Sequence, residues 1–337
     1  MELTNPNQRY QREVKRYWIF ALGHSLTEKF ILILLSLFTL FNTGCVNNPE
    51  QAASEAPEIY SLLGVEYFAP KEVNAKLDSN LVVARKNFEA DPSEENFIWL
   101  GRRTAYLTRY NEAIRMYDEG IEKFPDSYRL YRHRGHRYIS QRKFDAAIAD
   151  LEKASDLMQG KPIEIEPDGQ PNKLNKPLSS TQFNVWYHLG LAHYLKGEFD
   201  LAEKAYLECM KVSDNDDLIT ATVDWLYMTY RRQGKKEEAN KLLDKITATM
   251  TIIENDSYFK RLNLYKGMLP VDSVLSVNGS NTDVELALAT QGYGVGNWYL
   301  CNGDTTKAVE LFERVIAGKH FSAFGFIAAE ADLVRLR

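Results

Sequence analysis

Hydrophobic positions follow two rules along this chain. Residues 30–41, FILILLSLFTLF, form one unbroken apolar or near-apolar run with Lys29 just before it. Beyond residue 77, apolar residues return instead at spacings of three, four and seven, the period of a helix with one buried face. That pattern predicts a first helix over 77–90, stopped at Asp91-Pro92. Helix pairs follow over 94–127, 128–158, 183–216, 220–250, 253–280 and 289–318, and a solvating helix over 322–337 caps them. Pro270 falls near the start of a second helix, where proline is tolerated. Residues 46–57 carry Asn, Pro, Glu, Gln, Ala and Ser and read as a flexible tether, so that 46–76 leads into the folded domain at 77–337. Residues 159–182 contain Pro162, Pro167, Pro171 and Pro177, which rule out a regular helix. This insertion reads as a surface loop or as a flap over a neighbouring groove.

Within the helix pairs a register repeats. Gly101 is followed 34 residues on by Gly135, and Gly190 comes after a further 21-residue insertion. Four residues before each glycine stands an aromatic: Phe97, Tyr131, Trp186. Nine residues after it stands another: Tyr110, Phe144, Phe199. Ala113, Ala147 and Ala202 follow at twelve, and Tyr117, Leu151 and Tyr206 at sixteen. In the later pairs Tyr227 replaces the glycine and Val295-Gly296 restores it. This register resembles the tetratricopeptide repeat (TPR) over roughly residues 94–316. The small residues are where two antiparallel helices approach, and one helical hairpin cannot bury its apolar face alone, so copies stack. The resemblance implies an all-α TPR superhelix, an α-solenoid of about five to six helical hairpins with a C-terminal cap helix. It further implies that the first helix of each hairpin lines a concave groove. The positions expected to face that groove are Arg102, Arg129, Arg132, His133, His136, Asn184, Tyr187, His188 and Tyr194.

The apolar run at 30–41 is short of the roughly 20 residues a membrane-spanning helix needs. It suits the hydrophobic region of a signal peptide over 1–45. Asn42-Thr43-Gly44-Cys45 then resembles the lipobox of bacterial lipoproteins, although Asn42 stands where an aliphatic residue is usual. The resemblance implies cleavage before Cys45, a lipid (palmitate) on its thiol, and a periplasm-facing domain held to the cell envelope. Val46 in place of Asp favours the outer membrane. An uncleaved run would serve instead as a membrane anchor, or as a buried segment of a soluble chain.

Composition changes this picture in one respect. At 45% hydrophobic and 26% charged residues the 337-residue chain has the make-up of a folded protein. Its net charge of −5 argues against nucleic-acid binding. Between Trp99 and Lys143, however, eleven Lys and Arg stand against five Asp and Glu, a net of +6. Arginine binds carboxylates through two parallel hydrogen bonds, so a basic groove of this kind suits an acidic protein or peptide segment. Arg134 stands where the other hairpins carry Leu or Val. Either it snorkels to solvent, or it pairs with a carboxylate such as Asp118 or Glu119, or it serves a ligand.

No metal or cofactor is expected. His133, His136 and His188 lack a Cys or carboxylate at ligand spacing. Gly292, Gly294 and Gly296 follow no strand, and Gly296 is in register with the repeat glycines. Asp214–Asp217 lacks the EF-hand spacing and reads as a turn. Three widely spaced cysteines make no disulfide framework. GxSxG, HExxH, Walker and paired CxxC motifs are absent from the sequence. The pattern therefore points to a non-enzymatic scaffold anchored in the envelope. Two alternatives stay open: an envelope enzyme or small-ligand binder that uses the Arg/His groove with 159–182 as its lid, and a structural array that associates with its own copies. The oligomeric state is not legible.

Overall fold

The computed structural model describes residues 56–276 and 281–337. The apolar run, the lipobox-like segment and Cys45 lie outside the described residues. Residues 57–337 form one unit. Among the described residues no helix is long and apolar enough to cross a membrane.

The unit is built from helical hairpins. A lead-in helix α1 (Ala75–Ala90) precedes α2 (Glu94–Tyr106) and α3 (Tyr110–Lys123), then α4 (Tyr128–Ser140) and α5 (Phe144–Leu157). After the insertion come α6 (Thr181–Lys196) with α7 (Phe199–Lys211) and α8 (Asp216–Arg232) with α9 (Lys236–Leu242). The shorter pair α10 (Asp256–Tyr265) and α11 (Val271–Leu275) leads to α12 (Asn281–Cys301), α13 (Thr305–Ile316) and a last helix α14 (Phe324–Leu336). Side-chain caps start several of them: Ser127, Ser180 and Asn215 accept from the backbone N–H three residues on.

The sixteen-residue spacing in the sequence becomes a contact. A methyl group added at Gly101 would fall 2.4 Å from the Tyr117 ring, one at Gly135 2.9 Å from Leu151, and one at Gly190 2.8 Å from Tyr206. Gly296 meets Phe312 in the same way, at 2.6 Å. The glycine on the first helix is thus the seat for the large residue on the second, and Ala113, Ala147, Ala202 and Ala308 are fully buried beside these seats. Polar groups are placed with equal economy. Asp217, at the start of α8, accepts the N–H groups of Ile253, Glu254 and Asn255 at 2.8–2.9 Å and pins the strandless connection after α9. Asp224 of α8 and Arg261 of α10 form an ion pair fully sealed from solvent.

Two regions depart from expectation. Within the entry segment, residues 57–68 are structured. A hairpin of β1 (Ile59–Tyr60) and β2 (Glu66–Tyr67) docks on the helices. Ile59 is buried, the Glu58 carboxylate accepts the Asn111 N–H at 2.7 Å, and Gln141 donates to the Glu58 carbonyl at 3.0 Å. The last helix is not solvating. Nine consecutive residues of α14, Gly325–Leu333, are buried, including Glu330 and Asp332. It packs on α12 and α13 and reaches back to α6. Arg142 forms a buried ion pair with Glu330 at 2.8 Å and donates to the Phe321 carbonyl at 2.7 Å. Arg232 holds Asp332 at 2.8 Å, and Tyr67 stacks on Phe321 with ring centroids 4.5 Å apart.

Candidate functional site

The basic first helices α2 and α4 lie side by side, and the insertion folds across them. An antiparallel bridge between Ile165 and Ser180 straightens residues 163–168, with Glu166 N–H donating to the Ser179 carbonyl at 2.9 Å and Thr181 N–H to that of Glu164 at 2.8 Å. An extended segment alternates its side chains between two faces. Here the isoleucines face out, Ile163 54% and Ile165 52% exposed, while Glu166 is 6% exposed. The three acids Glu164, Glu166 and Asp168 therefore turn toward the helices.

The two glutamates pair with the basic face, and Asp168 lines a cleft with Arg102 beside them. Glu164 accepts from the Tyr128 hydroxyl and lies 3.4 Å from Arg129 Nε. Arg129 also pairs with Glu95 at 2.5 Å. Glu166 pairs with Arg132 at 2.9 Å, and both side chains are buried. The Asp168 carboxyl is pushed up by burial while Arg102 pulls it back. Backbone carbonyls complete the seat: Arg102 donates to Pro167 at 2.8 Å and Arg103 to Gly169 at 2.7 Å. Gly169 passes so close to α2 that a methyl group there would fall 1.6 Å from the Tyr106 hydroxyl oxygen.

The residues expected to face an open groove are thus brought together, but they are covered. Arg102, Arg129 and Arg132 carry the insertion. Asn184 donates to Ser179 Oγ at 3.1 Å. The His136 and His188 rings meet at a tilt of 38° with centroids 4.3 Å apart, and Phe324 closes over both. Tyr187 is buried and donates to the Tyr258 hydroxyl at 3.2 Å. Tyr194 is the clearest correction. It is fully buried, bonded to the Tyr293 hydroxyl at 2.7 Å, because α12 and α14 pack over that end of α6. Burial, then the neighbouring arginines, pushes His133 and His136 well below the usual imidazole range; burial and Arg132 do the same to His188. Arg134 is structural. It grips both oxygens of Asp150 at 2.7 and 2.8 Å and reaches Asp118 at 2.7 Å.

Sequence reasoning missed the covering groups. Alternating acids in Glu164-Ile-Glu-Pro-Asp168 were a readable period-two signal, and Glu330 and Asp332 in an otherwise apolar FGFIAAEADLVRL were another. Among the open spaces are a cleft of about 380 Å³ between Tyr106, His136 and Arg137 on one side and Thr290 and Phe324 on the other, one of about 280 Å³ where Arg102 and Arg132 meet Glu166, Asp168 and Asn184, and a smaller cavity beneath the insertion. No group of three or more His, Cys, Asp or Glu among the described residues is arranged to hold a metal ion.

Two family models match the chain, both described as tetratricopeptide repeat, over residues 100–157 and 183–216. No curated protein matches it. Among solved structures, one similar chain is described as YrrB, a TPR protein with an unusual peptide-binding site. It is 16% identical over 74% of this chain and 97% of that one, with a TM-score of 0.40. A tetratricopeptide repeat protein from Parabacteroides merdae ATCC 43184 is 12% identical over 76% and 92%, with a TM-score of 0.41. The MamA MSR-1 C2 structure is 19% identical over 51% and 90%, with a TM-score of 0.36.

Proposed function

We propose that this tetratricopeptide-repeat protein is a scaffold that binds a partner protein through an extended acidic segment, received on the basic face of α2 and α4 in place of the insertion. Repeats of this family build protein-interaction scaffolds and are generally not enzymes. One observation carries the finer reading: the chain's own Glu164 and Glu166 already lie along that face, against Arg129 and Arg132, and Asp168 lines one cleft with Arg102 beside them. A partner with carboxylates on alternate residues would take the same places.

The competition is tested with a peptide carrying Glu-Ile-Glu-Pro-Asp. It is titrated into the full chain and into a variant with Glu164→Gln, Glu166→Gln and Asp168→Asn. The neutralised insertion should yield, so the variant binds at least tenfold more tightly than the parent, and affinity falls as salt rises because the contacts are ionic. Arg129→Glu in the same background should remove binding. Equal affinities for parent and variant, or affinity indifferent to salt, would sink the reading.

The address is part of the same proposal. Lipid on Cys45, implied by the run at 30–41 and by Thr43-Gly44-Cys45, would hold the scaffold at the envelope, facing the periplasm. Metabolic labelling with a palmitate analogue should mark the parent and leave Cys45→Ala unmarked. Labelling of both refutes attachment there.

A further inference from the structure

Beneath the insertion, α2 and α4 enclose a cavity of about 80 Å³. Arg102, Arg132 and Arg137 line it, together with one carboxylate, Glu166. The wall carries three positive charges against one negative, since His133 and His136 are held neutral. Arg137 forms no ion pair with a described residue; its guanidinium lies over the Tyr110 ring, 5.6 Å from the centroid. Like charges gathered away from water repel strongly unless an anion lies between them.

Two atoms narrow the chemistry. Arg132 and Glu166 pair through Nη2 and Oε1 at 2.9 Å, and their remaining atoms Arg132 Nε and Glu166 Oε2 are both buried with no hydrogen-bond partner in the protein. Arg132 as a whole is 6% exposed. One atom can only donate and the other can only accept. A bare anion would satisfy Arg132 and repel Glu166, and a cation would do the reverse. An oxyanion that keeps one proton satisfies both, because its oxygens accept from arginine while its hydroxyl donates to the carboxylate.

We propose that this cavity is a binding site for a small protonated oxyanion of the hydrogenphosphate class, with Arg102, Arg132 and Arg137 taking its charge and Glu166 accepting its hydroxyl hydrogen. The cavity has room for a few water-sized groups, which suits inorganic phosphate and excludes a nucleotide. The site uses the insertion in its closed place and does not rest on the peptide reading.

The probe is inorganic phosphate, added at pH 7.5 to the full chain purified in mild detergent. Sulfate and chloride at matched ionic strength serve as comparisons. A ligand of the folded state raises the melting temperature in a saturable way. Phosphate should do so with an apparent Kd at least tenfold below that of sulfate, which carries no proton at this pH. Arg137→Gln should weaken phosphate at least tenfold, with circular dichroism to establish that it folds. Glu166→Gln should erase the preference for phosphate, because an amide can donate to sulfate. The proposal fails if phosphate acts no differently from chloride, if sulfate matches it in the parent, or if Arg137→Gln responds like the parent.

Discussion

Seven residues after each repeat glycine, or after Tyr227 in its place, the chain turns from the first helix of a hairpin to the second with a positive φ. Gly197, Gly234 and Gly303 stand there at φ 82°, 78° and 87°, but the first two hairpins place Thr108 at 63° and Arg142 at 62°. A side chain in this region costs about 1–2 kcal/mol. Thr108→Gly should therefore stabilise the protein by roughly 0.5–1 kcal/mol in urea denaturation, once glycine's extra freedom in the unfolded chain is offset. The equivalent change at Arg142 should have the opposite sign. It relieves the same strain but leaves Glu330 buried without its partner, a loss of about 3 kcal/mol or more. The glycine, alanine and aromatic positions were legible because each is a local size requirement repeated at one spacing. Arg134 was half legible: its misfit announced a carboxylate, yet only the folded hairpin brings Asp150 to it, sixteen residues on. The buried histidines carry a pH signature. With the folded pKa of His188 held well below 6.5, unfolding takes up a proton once pH falls under that value. The stability it supports is complete above about pH 6.5 and is lost on acidification. Parent protein should lose about 1–2 kcal/mol more than His188→Gln between pH 7.5 and 5, measured as the difference between their urea midpoints at the two pH values.

At the scale of elements, the insertion inverts the usual rule that apolar residues face in. Its acids are turned inward and its isoleucines outward, so its hold depends on ionic and backbone hydrogen bonds rather than on apolar burial. Close passage at Gly169 is the weak point. Gly169→Val would drive a side chain into Tyr106 and lift the segment from α2. Limited proteolysis should then cut within 159–182 at least tenfold faster while the helical circular dichroism is kept; an unchanged cleavage rate would show that the loop tolerates the substitution. Prolines made the absence of a helix here legible in the sequence. The direction in which the loop folds was not, because it depends on charges carried 30 to 70 residues away. The last helix was misjudged for a related reason. It was expected to face solvent as a cap, whereas its Glu330 and Asp332 are sealed by Arg142 and Arg232 from other hairpins.

For the whole folded unit, the telling contacts are those that span it. In an open stack of repeats each copy touches only its neighbours. Here Arg142 meets Glu330 across 188 residues, Arg335 donates to the Leu195 carbonyl across 140, and the hairpin at 59–67 touches Phe321 and Phe326. Heat or urea should accordingly unfold residues 57–337 in one transition, seen at the same midpoint by circular dichroism and by tryptophan fluorescence. Two separated midpoints would refute the coupling. The same link bears on how the molecule is made. A stack of local hairpins can nucleate anywhere and zip up quickly, but joining segments nearly two hundred residues apart must wait until both exist and must overcome the entropy of closing that loop. During synthesis the early hairpins would emerge with Arg142 unmatched, and the last helix would arrive as the latch that turns a string of marginal units into a single cooperative domain.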